Sequence, residues 1–128
     1  LHGIGLQGHF FLRAPDEAIL REQLQRIAAL GLRAEITELD IPLSLFGPAV
    51  DPLAAQAEAY AAVFNACLVV TLCTGITVWG LDDAHTWLDD FVLSAANAPN
   101  RPLLFDEALN AKPAYDSVVE ALLHRQSR

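Results

Sequence analysis

The stretch AEITELDIPL, residues 34–43, combines the pattern of a buried strand with three carboxylates. Strands are poor in carboxylates, and an ionised carboxylate is costly to bury unless it is paired or hydrogen-bonded. Glu38 and Asp40 stand at the carboxyl end of this strand, just before Pro42 stops it. Parallel α/β folds build their sites at that end of the sheet. The stretch therefore predicts a strand of a parallel sheet with a polar site at its end.

Strand-like and helix-like segments alternate on both sides of this stretch. The predicted elements are a strand over 3–10, a helix capped by Asp16 and ended by Gly31, a strand over 33–41, a helix from about 53 to 70, a strand opened by Gly75 (GITVWG), and a helix from Pro113 through residue 124. Residues 42–52 and the segment LDDAHTWLDD (81–90) are predicted as loops, and 94–112 as irregular.

Strands separated by helices imply right-handed crossovers and a parallel sheet, so the predicted class is α/β. Three such strands leave open sheet edges and an uncovered face. The remaining strands therefore belong to another part of a longer protein, or copies of the chain associate. The pattern suggests a portion of a barrel.

Composition narrows the classes of function. The chain has 128 residues, 53% of them hydrophobic, and a formal net charge of −8. Its acidity argues against a nucleic-acid partner or an anionic membrane. The apolar stretch at residues 59–72 is too short to span a bilayer and is predicted as the end of a buried helix. Because there is no Met and no visible leader, we expect a mature segment or a piece of something longer.

Alternation along the strand at 33–41 predicts two faces. It places Ile36, Glu38 and Asp40 on one face and Glu35 on the other. The Cα atoms of Glu38 and Asp40 would lie roughly 7 Å apart. That spacing does not assign them as the carboxylate pair of a glycosidase, retaining or inverting. Strand-end carboxylates satisfied by backbone or water are the alternative.

Polar and aromatic side chains mark the ends of the other two strands. Gln7 and His9 end the first strand, and a His near Glu38 could hydrogen-bond it and help to set its ionisation. Trp79 ends the third strand, and Trp87 lies eight residues further on. Exposed indoles beside carboxylates are what a sugar ring stacks on. Core packing remains the alternative for the His and for either Trp.

Cys67 and Cys73 are the two cysteines. Their spacing is too wide for a CxxC redox motif, and two thiols alone do not make a zinc site. On spacing alone, a disulfide at a helix end and two free buried thiols both remain open.

The segments ITELDI (36–41), GITVWGLDDAHTWL (75–88) and PLLFDEALNAKPAY (102–115) together resemble the carboxyl-terminal part of family 10 glycoside hydrolases, which are endo-β-1,4-xylanases. The segment GIGLQGHF (3–10) resembles the family's sixth-strand segment. The resemblance runs from Gly3 to about Leu123. It implies a (β/α)8 barrel of which this chain, residues 1–128, supplies about strands 6 to 8 and is incomplete on its own.

The resemblance also implies roles for single residues. Glu38 matches the catalytic nucleophile, and Gln7, His9, Trp79 and Trp87 match residues that line the sugar site. Asp40 and Asp83 match supporting positions. Cys67 and Cys73 match a disulfide found in many members, which implies a secreted protein. The implied reaction on xylan or xylo-oligosaccharides is double displacement with retention, and it needs no cofactor and no metal.

The chain departs from the family pattern at two places. No segment matches the W-x-x-x-N-E motif that carries the acid/base glutamate, and neither Glu35 nor Asp83 is expected to replace it. Position 88 is Leu, where many members carry a basic residue, so contacts at the rim of the site are expected to differ. We expect the segment to derive from a xylanase and the isolated chain to be a poor catalyst. A non-catalytic xylan-binding module and a self-associating partial barrel are the rival readings.

Overall fold

The structure is a computed structural model, and it describes residues 1–90 and 100–125. The elements follow the predicted order: β1 (Gly3–Leu6), α1 (Glu17–Ala29), β2 (Arg33–Leu39), α2 (Pro52–Leu68), β3 (Cys73–Val78) and α3 (Pro113–Arg125). Single 3-10 turns occupy Leu43–Leu45, Asp83–His85 and Trp87–Asp90. The predicted α/β alternation is therefore confirmed, with shifted boundaries.

The three strands form one parallel sheet in the order β1-β2-β3. In the described part of the chain, β1 and β3 are therefore the open edges of the sheet. The core lies between one face of this sheet and the helices, and its most buried side chains include Leu24 of α1 and Tyr60 and Val63 of α2. The expectation of a parallel sheet with two open edges is confirmed.

Two strand boundaries differ from the prediction. β1 ends at Leu6 rather than residue 10, because Gly8 adopts φ +88 and breaks the extended backbone. A Cβ at Gly8 would lie 2.9 Å from Ile36 Cγ2, so glycine is required there for two reasons. β3 begins at Cys73 rather than Gly75 and ends one residue before Trp79. Of the segment predicted as irregular, residues 94–99 lie outside the described residues, and 100–112 carries only isolated bridges.

The predicted faces of β2 are partly wrong. Between Ile36 and Leu39 the pairing with β3 shifts, so that three steps along β2 match two steps along β3. This bulge brings Ile36 and Leu39 into the same core. Glu38 therefore lies on the face opposite Ile36, which is the face where Glu35 packs over Gly75. Simple alternation had separated Glu35 from Glu38, and the extra residue at the bulge explains the error.

Cys67, near the end of α2, is disulfide-bonded to Cys73, the first residue of β3, across a Cα–Cα distance of 5.3 Å. The bond spans the tight turn between the two elements and confirms the pairing that the family resemblance implied. Among residues 1–90 and 100–125, the helices fall short of the length and hydropathy that crossing a membrane requires.

Leu24→Ala is the sharpest test of the core. Leu24 is fully buried on α1, so truncation leaves a cavity and should lower the free energy of unfolding by about 2 to 5 kcal/mol. Leu12→Ala is the matched control, because the Leu12 side chain is 94% exposed, and it should change this free energy by less than about 0.5 kcal/mol. Urea denaturation followed by circular dichroism measures both; equal losses would contradict this account of the core.

Candidate active site

Residues 7–10 run beside the end of β2 and place the first site residue. The Glu38 N–H donates to the Gln7 carbonyl at 2.7 Å, and the Asp40 N–H donates to the Gly8 carbonyl at 3.3 Å. A parallel bridge also joins His9 to Asp40. The parallel pairing of β1 and β2 thus resumes beyond Gly8. It carries the His9 ring to the carboxyl end of β2, where both carboxylates lie.

The His9 imidazole joins the two carboxylates. Its Nε2 lies 3.0 Å from Glu38 Oε2, and its Nδ1 lies 3.0 Å from Asp40 Oδ2. Carboxylate oxygens accept and do not donate unless they are protonated. Each of the two contacts therefore needs one proton. Either the His9 ring carries both protons, or the ring carries one and a carboxyl group carries the other. The sequence prediction that His9 approaches Glu38 is correct in geometry, and the second bond to Asp40 was not foreseen.

Asp40 is the most enclosed of the three groups. Its side chain is fully buried, and the Trp87 Nε1–H donates to its Oδ2 at 2.8 Å. Burial raises the pKa of the Asp40 carboxyl above its ordinary value, while the hydrogen bonds from Trp87 and His9 act in the opposite direction. Asp40 thus fixes His9 and Trp87 at the same oxygen. Glu38 is partly exposed, with a quarter of its side-chain surface open to solvent.

Aromatic rings surround His9. The centroid of the Trp87 ring lies 5.1 Å from that of His9, and the Trp79 centroid lies 6.5 Å away, both edge to face. Trp79 is 45% exposed. Gly80 follows it at φ +145, and a Cβ there would lie 2.6 Å from a Leu103 methyl group. The site therefore offers an accessible indole beside polar carboxylates, a combination suited to a sugar ring.

Phe11 is an aromatic residue of this site that sequence reasoning missed. Its ring stacks on His9 with a centroid distance of 5.6 Å and an interplanar angle of 9°, and it meets Trp87 edge to face at 6.0 Å. The only available signal was its place two residues after His9. Such a signal has no value until the backbone path beyond Gly8 is known.

Gln7 and Asp83 relate to this cluster in different ways. The Gln7 side chain is exposed, and its backbone carbonyl holds the Glu38 N–H. Asp83 is buried away from the three bonded groups: its Oδ2 accepts from Lys112 Nζ at 2.8 Å, and its Oδ1 accepts from the Leu103 N–H at 2.8 Å. Burial raises the pKa of the Asp83 carboxyl and lowers the pKa of the Lys112 ammonium. Lys112 was not foreseen as its partner.

Two further side chains named from the sequence lie outside the cluster. Glu35 is exposed and accepts a hydrogen bond from Thr74 Oγ1 at 3.2 Å. Leu88 is buried, and the expectation that a Leu at this position alters contacts at the rim of the site stays a prediction. Within the described ranges, no group of three or more His, Cys, Asp or Glu side chains is arranged to hold a metal ion.

The profile of glycosyl hydrolase family 10 matches residues 1–121. The chain belongs to this family. It is 38% identical to an endo-1,4-beta-xylanase of Geobacillus stearothermophilus over 93% of its own length, and 38% identical to endo-1,4-beta-xylanase 2 of Aureobasidium pullulans over 95%. It covers only 38% and 35% of those two relatives.

Solved structures of the family agree with the fold. Native xylanase 10B from Thermotoga maritima is similar over 100% of this chain and 39% of its own, with a TM-score of 0.83 and 36% identity. Xylanase 10B from Thermotoga petrophila RKU-1, solved with xylobiose, is similar over 96% of this chain and 36% of its own, with a TM-score of 0.81 and 37% identity. The family 10 chain described here therefore spans under two fifths of these relatives.

Asp40→Asn tests how much the burial of an ionised carboxyl group lowers the free energy of unfolding. Because the pKa of Asp40 is raised in the folded chain, the folded state keeps this proton to higher pH than the unfolded state does. Ionised Asp40 therefore opposes folding once the pH exceeds about 4, the ordinary value for the group. The free energy of unfolding of the parent chain, minus that of Asp40→Asn, should fall as the pH rises. Urea denaturation at a series of pH values measures the difference.

Asp106→Asn is the control of opposite sign. Asn110 donates hydrogen bonds that lower the pKa of the exposed Asp106 carboxyl. Its contribution to stability is therefore present above the ordinary pKa and is lost as the pH falls through the lowered value. The corresponding difference for Asp106→Asn should rise with pH. A flat or rising difference for Asp40→Asn would contradict the account of its burial.

Proposed function

We propose that this chain carries the nucleophile side of the active site of a retaining endo-1,4-β-xylanase, as strands 6 to 8 of a (β/α)8 barrel. The observation that carries the proposal is the bonded group of Glu38, His9 and Asp40 at the carboxyl ends of two neighbouring parallel strands. Family 10 membership supports the reaction class. The open edges of the sheet support the partial barrel.

In the proposed reaction, Glu38 attacks the anomeric carbon of the sugar while the bond to the leaving oxygen breaks. Glu38 must be ionised to attack, so the Nε2 proton of His9 points at Glu38 Oε2 and holds the carboxylate in place. Asp40 holds the other ring nitrogen and so fixes the ring orientation. Water then hydrolyses the glycosyl-enzyme, and the configuration at the anomeric carbon is retained.

The aromatic residues supply the binding surface in this proposal. Trp79 presents its exposed face to the sugar, and Trp87 encloses the sugar from the side of Asp40. Gln7 lies at the end of β1, where its exposed amide is free to bond a sugar hydroxyl. Xylan or xylo-oligosaccharides are the proposed ligands. The Thermotoga petrophila relative, solved in complex with xylobiose, supports this choice.

The acid/base residue comes from outside this chain in the proposed enzyme. No segment of the chain matches W-x-x-x-N-E. Asp83 forms a buried ion pair with Lys112. Glu35 lies on the same sheet face as Glu38, but it bonds Thr74 nearer the amino-terminal ends of the strands. Loss of an acid slows departure of an unactivated sugar by roughly 10² to 10⁴. We therefore expect the isolated chain to hydrolyse xylan very slowly.

An activated substrate tests the nucleophile without the acid. Dinitrophenolate leaves unprotonated, so dinitrophenyl β-xylobioside should give a burst of phenolate as Glu38 forms the glycosyl-enzyme, followed by slow turnover. Glu38→Gln should abolish the burst. Glu35→Gln is the matched control and should retain it, because Glu35 bonds Thr74 and not His9. Absorbance of the released phenolate, together with the intact mass of the chain, measures both steps.

Binding without turnover is the second candidate function, and the exposed Trp79 favours it. Titration with xylohexaose separates the two. Saturable binding that Trp79→Ala weakens, together with no phenolate burst, would assign a binding module. A burst that survives in Glu38→Gln would overturn the proposed nucleophile. Neither binding nor a burst would overturn both functions for the isolated chain.

The proposed partners of the chain are further βα units that cover its open edges. An apolar cleft of about 560 Å³ lies at the β1 edge, between that strand and α1, and Leu6, Phe10 and Ile27 are among its lining residues. A free edge beside an apolar cleft is a ready site for another strand and helix. In the absence of other units, a second copy of the chain is the proposed occupant. Export is proposed as well, because disulfides persist in oxidising compartments.

Light scattering tests this association. We expect a mass above the 13.9 kDa of one chain. Leu30→Lys places a charge at the mouth of the cleft, where the residue is exposed, and should shift the mass toward that of the monomer. Leu123→Lys is the control on α3, also exposed, and should leave the mass unchanged. A monomeric parent chain, or dissociation by Leu123→Lys alone, would contradict the proposed surface.

A further inference from the structure

Asn100 is a buried polar residue that joins two loops at the site. It is 4% exposed and begins the described segment 100–112, in which Phe105 forms a bridge to Asp82 of the loop that carries Trp87. Its backbone carbonyl accepts from the Leu43 N–H at 2.8 Å, in the turn that follows β2. Buried amide groups are normally fully bonded, so the partners of its side chain show what the residue holds in place.

The Asn100 side chain bonds the turn Trp87–Asp90. Its Nδ2 donates to the Leu88 carbonyl at 2.9 Å and to Asp89 Oδ1 at 2.8 Å, and its backbone N–H donates to the same Asp89 oxygen at 3.2 Å. Three hydrogen bonds from one residue thus fix the two positions that follow Trp87. The Leu88 N–H is fixed separately by Thr86 Oγ1.

The turn that Asn100 bonds is connected to the cluster at Glu38 through Trp87. Trp87 begins the turn that Asn100 holds, and its indole N–H donates to Asp40 Oδ2, the oxygen that also faces His9 Nδ1. The direction of the indole depends on the backbone of residues 87–89. The backbone of those residues is attached through Asn100 to the turn after β2, the strand that carries Asp40.

We propose that Asn100 is a positioning residue that holds the Trp87 indole against Asp40. Its side-chain bonds go to Leu88 and Asp89 and not to Glu38 or Asp40, and it acts through the turn that Trp87 begins. Its effect on ligand binding rests on the proposed function, whereas its effect on the Trp87–Asp40 bond does not. The sequence did not single out Asn100, because its partners lie 11 and 12 residues away along the chain.

Hydrogen exchange of the indole N–H groups tests the proposal on the 128-residue chain. Trp79 and Trp87 are the two tryptophans, so a nitrogen-15 spectrum contains two indole signals, which Trp79→Phe assigns. Asn100→Ala removes two side-chain bonds and should raise the exchange rate of the Trp87 indole on the order of tenfold through local opening. The exchange of the Trp79 indole and of the Val63 backbone amide, in the core of α2, should stay unchanged.

Asn110→Ala is the matched control. Asn110 is the same residue type in the same segment, and its amide bonds the exposed Asp106 rather than the Trp87 turn. It should leave the Trp87 exchange rate unchanged. If Asn100→Ala does not fold, Asp89→Ala removes the acceptor that Asn100 shares, at an exposed side chain, and should raise the same rate. An unchanged Trp87 rate, or an equal rise at Trp79 and Val63, overturns the proposal.

A titration with xylohexaose separates this proposal from the proposed function. If the parent chain binds the oligosaccharide, Asn100→Ala should weaken binding and Asn110→Ala should not. If the parent chain does not bind it, the proposed function fails for the isolated chain, and the exchange rates still decide the role of Asn100. Unchanged binding in Asn100→Ala, with faster Trp87 exchange, would overturn the inferred effect on the ligand.

Discussion

The bonded group of His9, Glu38 and Asp40 is the interaction on which the rest of the site depends. Asp40 is fully buried, and its burial is tolerated because His9 and Trp87 both lie within hydrogen-bond distance of one of its oxygens. Those two partners come from different loops, one after β1 and one after β3. A single carboxylate therefore ties together the carboxyl ends of all three strands, and Glu38 is held at the solvent side of the same network.

Two backbone irregularities make this network possible. The bulge in β2 between Ile36 and Leu39 places Glu38 on the open face while Ile36 and Leu39 both remain in the core. Gly8, at φ +88, lets residues 7–10 change direction and then resume parallel pairing beside Asp40. Neither feature is a defect of the sheet. Bulges and glycine turns near sites re-aim side chains that a regular strand would direct elsewhere.

Periodicity and turn residues were enough to predict the order of strands and helices, because each depends on neighbours within a few positions. The same reasoning failed at the faces of β2, since a period of two assumes regular pairing and a bulge adds one residue. It also missed Phe11, Lys112 and Asn100. Lys112 bonds Asp83, 29 positions away, and no local pattern reports a contact of that range. The disulfide was predicted from the family resemblance and not from its spacing.

The proposed chemistry has two parts, attack by Glu38 and protonation of the leaving oxygen, and the contacts in this chain bear on them differently. Among the described residues, His9 bonds Glu38, Asp40 bonds His9, and Trp87 bonds Asp40. The contacts that orient the proposed nucleophile are therefore already present within the described residues. Protonation of the leaving oxygen does require an outside strand in the proposed enzyme, because the two carboxylates considered as replacements for the acid, Glu35 and Asp83, are already bonded to Thr74 and Lys112. A shortfall of the isolated chain should therefore lie in leaving-group departure and sugar positioning. Glu38, the proposed attacking carboxylate, is already oriented by its contact with His9.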